Sequence, residues 1–211
     1  MTRRNRLSSL AIAMGLAAIT TLGAQRVVVG SASPSSAPDW DAAPSLPVSD
    51  GVGDGVAFVL GDTLYHVGGW AGNANQRLGV VYGSALSDGI PSTWSVTAIL
   101  NPSRFGATVA VYNGRAYVIG GYGGSLLDRI DVFDSSTLVW TSAGSLPQAL
   151  NFPTAAVVEG RLYVAGGLPN PNGKTWSAPI QADGRVGAWR EESFLSVGNQ
   201  ITRLAAAENC L

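Results

Sequence analysis

The sequence predicts an all-β fold of repeated four-stranded sheets, and three observations predict it. Glycine supplies 27 of the 211 residues, about 13% against the roughly 7% usual, which favours turns and tight strands over helices. A motif of turn, β-rich strand and diglycine occurs three times. Each copy is followed by a tryptophan that itself lies six residues after an aspartate.

The first copy reads Gly61-Asp62-Thr63-Leu64-Tyr65-His66-Val67-Gly68-Gly69, the second Gly114-Arg115-Ala116-Tyr117-Val118-Ile119-Gly120-Gly121, and the third Gly160-Arg161-Leu162-Tyr163-Val164-Ala165-Gly166-Gly167. The tyrosine recurs after 52 and then 46 residues. Trp94, Trp140 and Trp189 follow the diglycines, six residues after Asp88, Asp134 and Asp183. Asp-Gly and Asp-Ser are turn chemistry, so each aspartate opens a hairpin into another strand. An earlier Trp40 begins a stretch that echoes the one at Trp140.

The second copy resolves into strands at 107–112, 116–119, 130–133 and 138–141, with Asn113-Gly114 as a hairpin turn. The third gives 154–158, 162–165, 176–181 and 187–191. Repeats near 50 residues with several short strands each are the signature of propeller blades. On the three diglycines, each preceded by Tyr and followed by Trp, residues 40–211 resemble the Kelch-repeat family in its bacterial exported form. The resemblance implies an incomplete Kelch-type β-propeller: an outer strand at 40–46, then blades at 47–100, 101–147 and 148–196. Residues 200–211 align without a gap on 151–162, so 197–211 read as the start of a further blade, and the chain reads as truncated. Glycine pairs let the chain leave a strand with unusual dihedrals and let backbones approach closely. Tyr and Trp fill the space between twisted sheets. The structural repeat set is therefore Tyr65, Gly68, Gly69, Trp94, Tyr117, Gly120, Gly121, Trp140, Tyr163, Gly166, Gly167 and Trp189.

The start of the chain reads as a targeting segment. Arg3, Arg4 and Arg6 precede the apolar run 7–24, the order of a signal peptide over 1–32. Its alternative is an uncleaved anchor, because 18 residues approach a membrane span. Residues 33–39 read as a linker. Export to the periplasm, cell surface or medium is expected, with no membrane span after cleavage. Removing 1–32 leaves nine basic residues against 14 acidic ones, a net charge of −5, which offers nothing to nucleic acid.

Candidate chemistry is sparse. A single Cys and a single His exclude a disulfide framework and a Cys-cluster metal site, so no metal and no cofactor is expected. His66 sits in the strand slot of Val118 and Val164 and reads as packing. Cys210 lies in the final stretch and reads as a core residue. Asp88, Asp134 and Asp183 read as turn residues, and Glu191 and Glu192 as a solvated edge. In the family the loops after the diglycine and before each inner strand share one propeller face. Here that face offers Trp70, Arg77, Arg104, Tyr122, Asn151, Asn170, Asn172 and Lys174, with Asn73, Asn75 and Gln76 beside them, as ligand contacts.

Two function classes follow. The first is an exported, non-catalytic binding module for a protein or glycan, a fragment of a longer propeller, with self-association through exposed blade faces. The second is a carbohydrate-active enzyme, since some Kelch-like propellers are sialic-acid epimerases and others resemble galactose oxidase. The oxidase needs two His, two Tyr and a crosslinked Cys, which this chain lacks.

Overall fold

The computed structural model describes residues 43–72 and 76–192, which fall in one unit of the chain. Every regular element among them is a strand. The first repeat runs β1 (Val52–Gly53), β2 (Val56–Leu60), β3 (Thr63–Val67), β4 (Trp70–Ala71), β5 (Gln76–Arg77), β6 (Val80–Ser87), β7 (Ile90–Pro91) and β8 (Ser95–Ile99). The second runs β9 (Thr108–Tyr112), β10 (Arg115–Ile119), β11 (Arg129–Asp134) and β12 (Val139–Ser145). The third runs β13 (Asn151–Val158), β14 (Arg161–Leu168), β15 (Thr175–Pro179) and β16 (Arg190–Glu191). Each repeat folds as one antiparallel four-stranded blade, in the orders β2-β3-β6-β8, β9-β10-β11-β12 and β13-β14-β15-β16. This is the Kelch-type propeller blade that the repeats predict.

Local chemistry sets the strands. Asn113 and Gly114 take φ of 47° and 69°, the paired left-handed conformation whose twist matches a two-residue hairpin. Several strand ends differ from expectation, β12 running on to Ser145, β13 starting at Asn151, β14 continuing through the diglycine to Leu168 and β15 ending at Pro179, and two further departures have a local cause. The last strand of the third blade shortens to Arg190–Glu191 because Gly187 closes a turn, its N–H donating to the Pro179 carbonyl at 2.8 Å. Residues 43–46, expected as part of an outer strand, form none; Pro44 and Pro47 have no N–H for a ladder. They still take up a blade-like place. The Trp94 indole donates to the Pro44 carbonyl at 2.8 Å, as the Trp189 indole donates to the Ser145 carbonyl at 2.7 Å. The expected signal segment, linker and further blade start, with Cys210, lie outside the described residues.

The core lies between blades. Phe58 stacks on Tyr65 with centroids 5.4 Å apart, Tyr65 meets the edge of Phe133 at 5.2 Å, and Phe133 packs on Trp140 at 4.9 Å. Across the next gap Tyr117, Ile119 and Ile130 face Leu162, Val164 and Trp176, all buried. Full burial contributes about 2 kcal/mol for a side chain such as Ile119 or Leu162.

The diglycines staple one blade to the next. Gly69 donates to the Arg104 carbonyl at 2.9 Å, and Gly121 to the Leu150 carbonyl at 2.8 Å. A Cβ on Gly68 would lie 2.7 Å from the Arg104 oxygen and one on Gly120 2.6 Å from the Leu150 oxygen, both at positive φ. Only glycine meets both demands.

Candidate ligand-binding face

At the entry to each inner strand one residue turns left-handed: Asp54 at φ 56° and Gly106 at 63°, ahead of β2 and β9, and Phe152 at 56°, the second residue of β13. These three are equivalent by the 52- and 46-residue offsets. They join in a chain of hydrogen bonds across the blades, Gly106 N–H donating to the Asp54 carbonyl at 2.9 Å and Phe152 N–H to the Gly106 carbonyl at 2.7 Å. Together they border a cavity of about 280 Å3, whose walls are the first residues of all three inner strands. A left-handed Phe costs roughly 1–3 kcal/mol, so the blades must hold Phe152 in place.

Beside the cavity runs an aromatic row. Trp70 meets Phe105 edge-on at 5.0 Å, and Phe105 lies 5.5 Å from Tyr122 and 6.4 Å from Phe152. Cross-strand pairing builds it: Gly53 pairs with Trp70, and Phe105 with Tyr122. In the third repeat the corresponding pair is Asn151 and Leu168. Each repeat therefore carries a small crown above its blade, and all four rings are only partly buried.

The structure sorts the sequence-derived contacts. Trp70 and Tyr122 come together through Phe105, and Arg77 joins them as the partner of Trp70 in β5. Asn151 starts β13 with its side-chain oxygen buried and unpartnered against Gly106. Asn172 is exposed, and Lys174 forms an ion pair with Glu191 at 2.8 Å.

Two residues expected to meet ligand are interior instead. Asn170 is 1% exposed, and its amide donates to the Gly166 and Lys174 carbonyls at 3.1 and 2.9 Å. It ties together its own loop, a habit of Asn in turns. Arg104 is also 1% exposed and pairs with the buried Asp131, whose other oxygen accepts from Arg129 Nε at 2.6 Å. Burial lowers the Arg104 pKa, and the Asp131 carboxylate partly restores it. Arg104 Nε and Nη1 have no partner.

Sequence reading missed Phe105 and Phe152. The available signal was their place at the entry to an inner strand, at positions where the first repeat carries Gly53 and Asp54. The turn aspartates keep their turn role: Asp134 accepts from Ser136 N–H and Asp183 from Arg185 N–H, each at 2.9 Å. The Ser136 hydrogen bonds hold the Asp134 carboxyl below its ordinary pKa. Asp134 and Asp183 also share one cleft with Arg115, 3.8 Å from Asp134. His66 packs in its strand slot, its Nδ1 buried without a partner and its pKa lowered by burial. Among the described residues no group of three or more His, Cys, Asp or Glu is placed to hold a metal, and no helix is long and apolar enough to cross a membrane.

Comparison with known proteins places these features. The Kelch motif matches residues 103–147. The chain is similar to human Kelch-like protein 33, 27% identical over 61% of this chain and 24% of that protein. It is also similar to Kelch-like protein terF of Aspergillus terreus, 30% identical over 55% of this chain and 27% of that protein. The chain thus spans about a quarter of the length of the curated relatives it matches. Among solved structures it resembles that of YjhT, with a TM-score of 0.63 and 17% identity, over 77% of this chain and 58% of that one. That likeness bears on the fold.

Proposed function

Because the chain carries Kelch repeats, we propose that it is an exported, non-catalytic binding module whose crown face takes a protein or carbohydrate ligand. One observation carries the reading: a cavity bordered by the three equivalent residues Asp54, Gly106 and Phe152 opens beside the partly exposed rings of Trp70, Phe105 and Tyr122. Aromatic groups half in contact and half in solvent are the usual anchors of an interface. Export rests on the basic and apolar order of residues 3–24. Self-association belongs to the same proposal. Its basis is the exposed apolar surface of the first blade, where Val96 and Ile99 are 64% and 60% exposed at positions that hold Ser142 and Ser145 in the second.

The test is binding of the purified full chain to immobilised peptide and glycan arrays, repeated with Trp70→Ser and Tyr122→Ser. The proposal expects ligands that the parent chain retains and both variants lose by tenfold or more. Retention of every ligand by both variants would overturn it. So would catalysed anomerisation of a sialic acid by the parent chain.

A further inference from the structure

The first two long strands of each blade are joined by a two-residue turn, which the three repeats build as Gly61-Asp62, Asn113-Gly114 and Glu159-Gly160. Glu159 and Gly160 take φ of 48° and 72°, close to the 47° and 69° of Asn113 and Gly114. The turn therefore does not need an amide side chain, and the second blade alone carries one there.

Asn is among the thermolabile side chains, and most of all when Gly follows it. The next backbone nitrogen then lies within reach of the side-chain carbonyl carbon, and glycine puts no side chain in the way. The sequence holds two such pairs, Asn113-Gly114 and Asn172-Gly173, and their surroundings differ. Asn113 and Gly114 are both exposed, and a Cβ on Gly114 would meet nothing within 4 Å, so the peptide between them has room to rotate. Among the described residues neither the Asn113 side chain nor the Gly114 N–H makes a hydrogen bond. In the other pair Asn172 is exposed but Gly173 is buried, and its N–H donates to the Asn170 carbonyl at 3.1 Å. That nitrogen must give up its bond before it reaches the Asn172 side chain, which costs free energy.

We propose that Asn113 is a modification site, where the folded chain deamidates and isomerises without an enzyme while Asn172 is spared. The Gly114 nitrogen attacks Cγ of Asn113, the Cγ–Nδ2 bond breaks, and the proton from the attacking nitrogen leaves with the amide as ammonia. Water then opens the cyclic imide. Opening at Cγ gives aspartate; opening at the α-carbonyl gives isoaspartate, whose main chain runs through Cβ and Cγ. Aspartate keeps the hairpin, since Asp-Gly suits the same turn. Isoaspartate adds a methylene to the main chain, so the pairing of Tyr112 with Arg115 no longer closes over two residues. It also loosens Arg115 from Asp134, 3.8 Å away, and from Gly184 of the third blade, where a Cβ would stand 3.2 Å from Arg115 Nη1. The consequence is felt where the second blade meets the third.

The test holds the purified full chain in mildly alkaline buffer beside a free peptide of residues 110–117. Peptide mapping and methyl transfer by an isoaspartyl methyltransferase follow both. Asn113 should convert within about tenfold of the peptide's rate and about tenfold or more faster than Asn172. In urea the two sites of the chain should convert alike. The isoaspartate fraction should melt below the parent, whereas Asn113→Asp and Asn113→Gln should melt close to it, and Asn113→Gln should yield no product at this turn. Conversion of Asn172 as fast as Asn113 in the folded chain would overturn the proposal, as would conversion of Asn113 slower than that tenfold margin. An isoaspartate fraction that melts with the parent would overturn the consequence drawn for the blade contact.

Discussion

The inter-blade interior and the crown obey opposite rules, although the same three repeats build both. Inside, equivalent positions keep their chemistry: Tyr65, Tyr117 and Tyr163 recur, and each diglycine takes positive φ. In the crown, equivalent positions diverge, with Gly53, Phe105 and Asn151 in one row and Trp70, Tyr122 and Leu168 in the next. A position that packs against the next blade meets the same neighbour every time and is held to one solution. A position facing outward meets whatever the ligand presents, and each blade contributes something different. Repetition therefore marks what holds the fold, and its loss marks where recognition is to be sought.

A few interior positions break the rule, and a buried pair among them offers the largest test. Arg104 and Asp131 stand where the next repeat has Leu150 and Trp176, so a buried ion pair replaces an apolar pair. Asp131→Ala would leave Arg104 buried and unpaired and should cost roughly 3–5 kcal/mol in urea unfolding. The double variant Arg104→Leu with Asp131→Leu should recover most of that loss, because an apolar pair avoids the desolvation of two ions. A double variant as unstable as the single one would give the ion pair a role beyond packing.

The next largest effect is expected at the staple. Gly120→Val would force a side chain to within 2.6 Å of the Leu150 carbonyl at φ 64°, and should cost about 3 kcal/mol. A stable Gly120→Val protein would show that the blades are not tied at their diglycines.

A smaller effect comes from His66, which stands in an interior slot otherwise held by valine. Its folded pKa lies below the ordinary 6.5 because of burial. As pH falls through 6.5 the unfolded chain takes up the proton first, so stability should drop below that pH and level off once the folded imidazole is also charged. Melting temperatures from pH 8 to 5 should show the drop, and His66→Val should remove it. A parent profile that is flat in this range would contradict the burial assigned to the ring.

The smallest effect belongs to the crown. Gly53→Leu should change stability by no more than about 0.5 kcal/mol, since an added side chain there meets no neighbour. A large loss would move Gly53 from the binding surface into the structural set.

The same contrast explains what was legible in the sequence. The blade strands could be read because Tyr, Gly-Gly and the turn residues repeat at a fixed register, and each repeat supports the others. Trp70 and Tyr122 stood out by following a diglycine. Phe105 and Phe152 did not, because aromatics in non-repeating places carry no period, and a left-handed Phe152 runs against ordinary backbone preference. Arg104 read as a ligand contact because its partner Asp131 lies 27 residues on and comes near only once the blade has formed. Asn170 read as a contact because its self-capping loop is set by bonds that composition does not encode.

The most direct test of the account is hydrogen exchange of the full chain with and without a peptide or glycan retained by the arrays. The account predicts added protection at amides in 53–55, 70–72, 76–78, 104–107 and 121–126, with little change in β3, β10 and β14. Protection confined to the outer strands β8 and β12, with the crown unchanged, would contradict it.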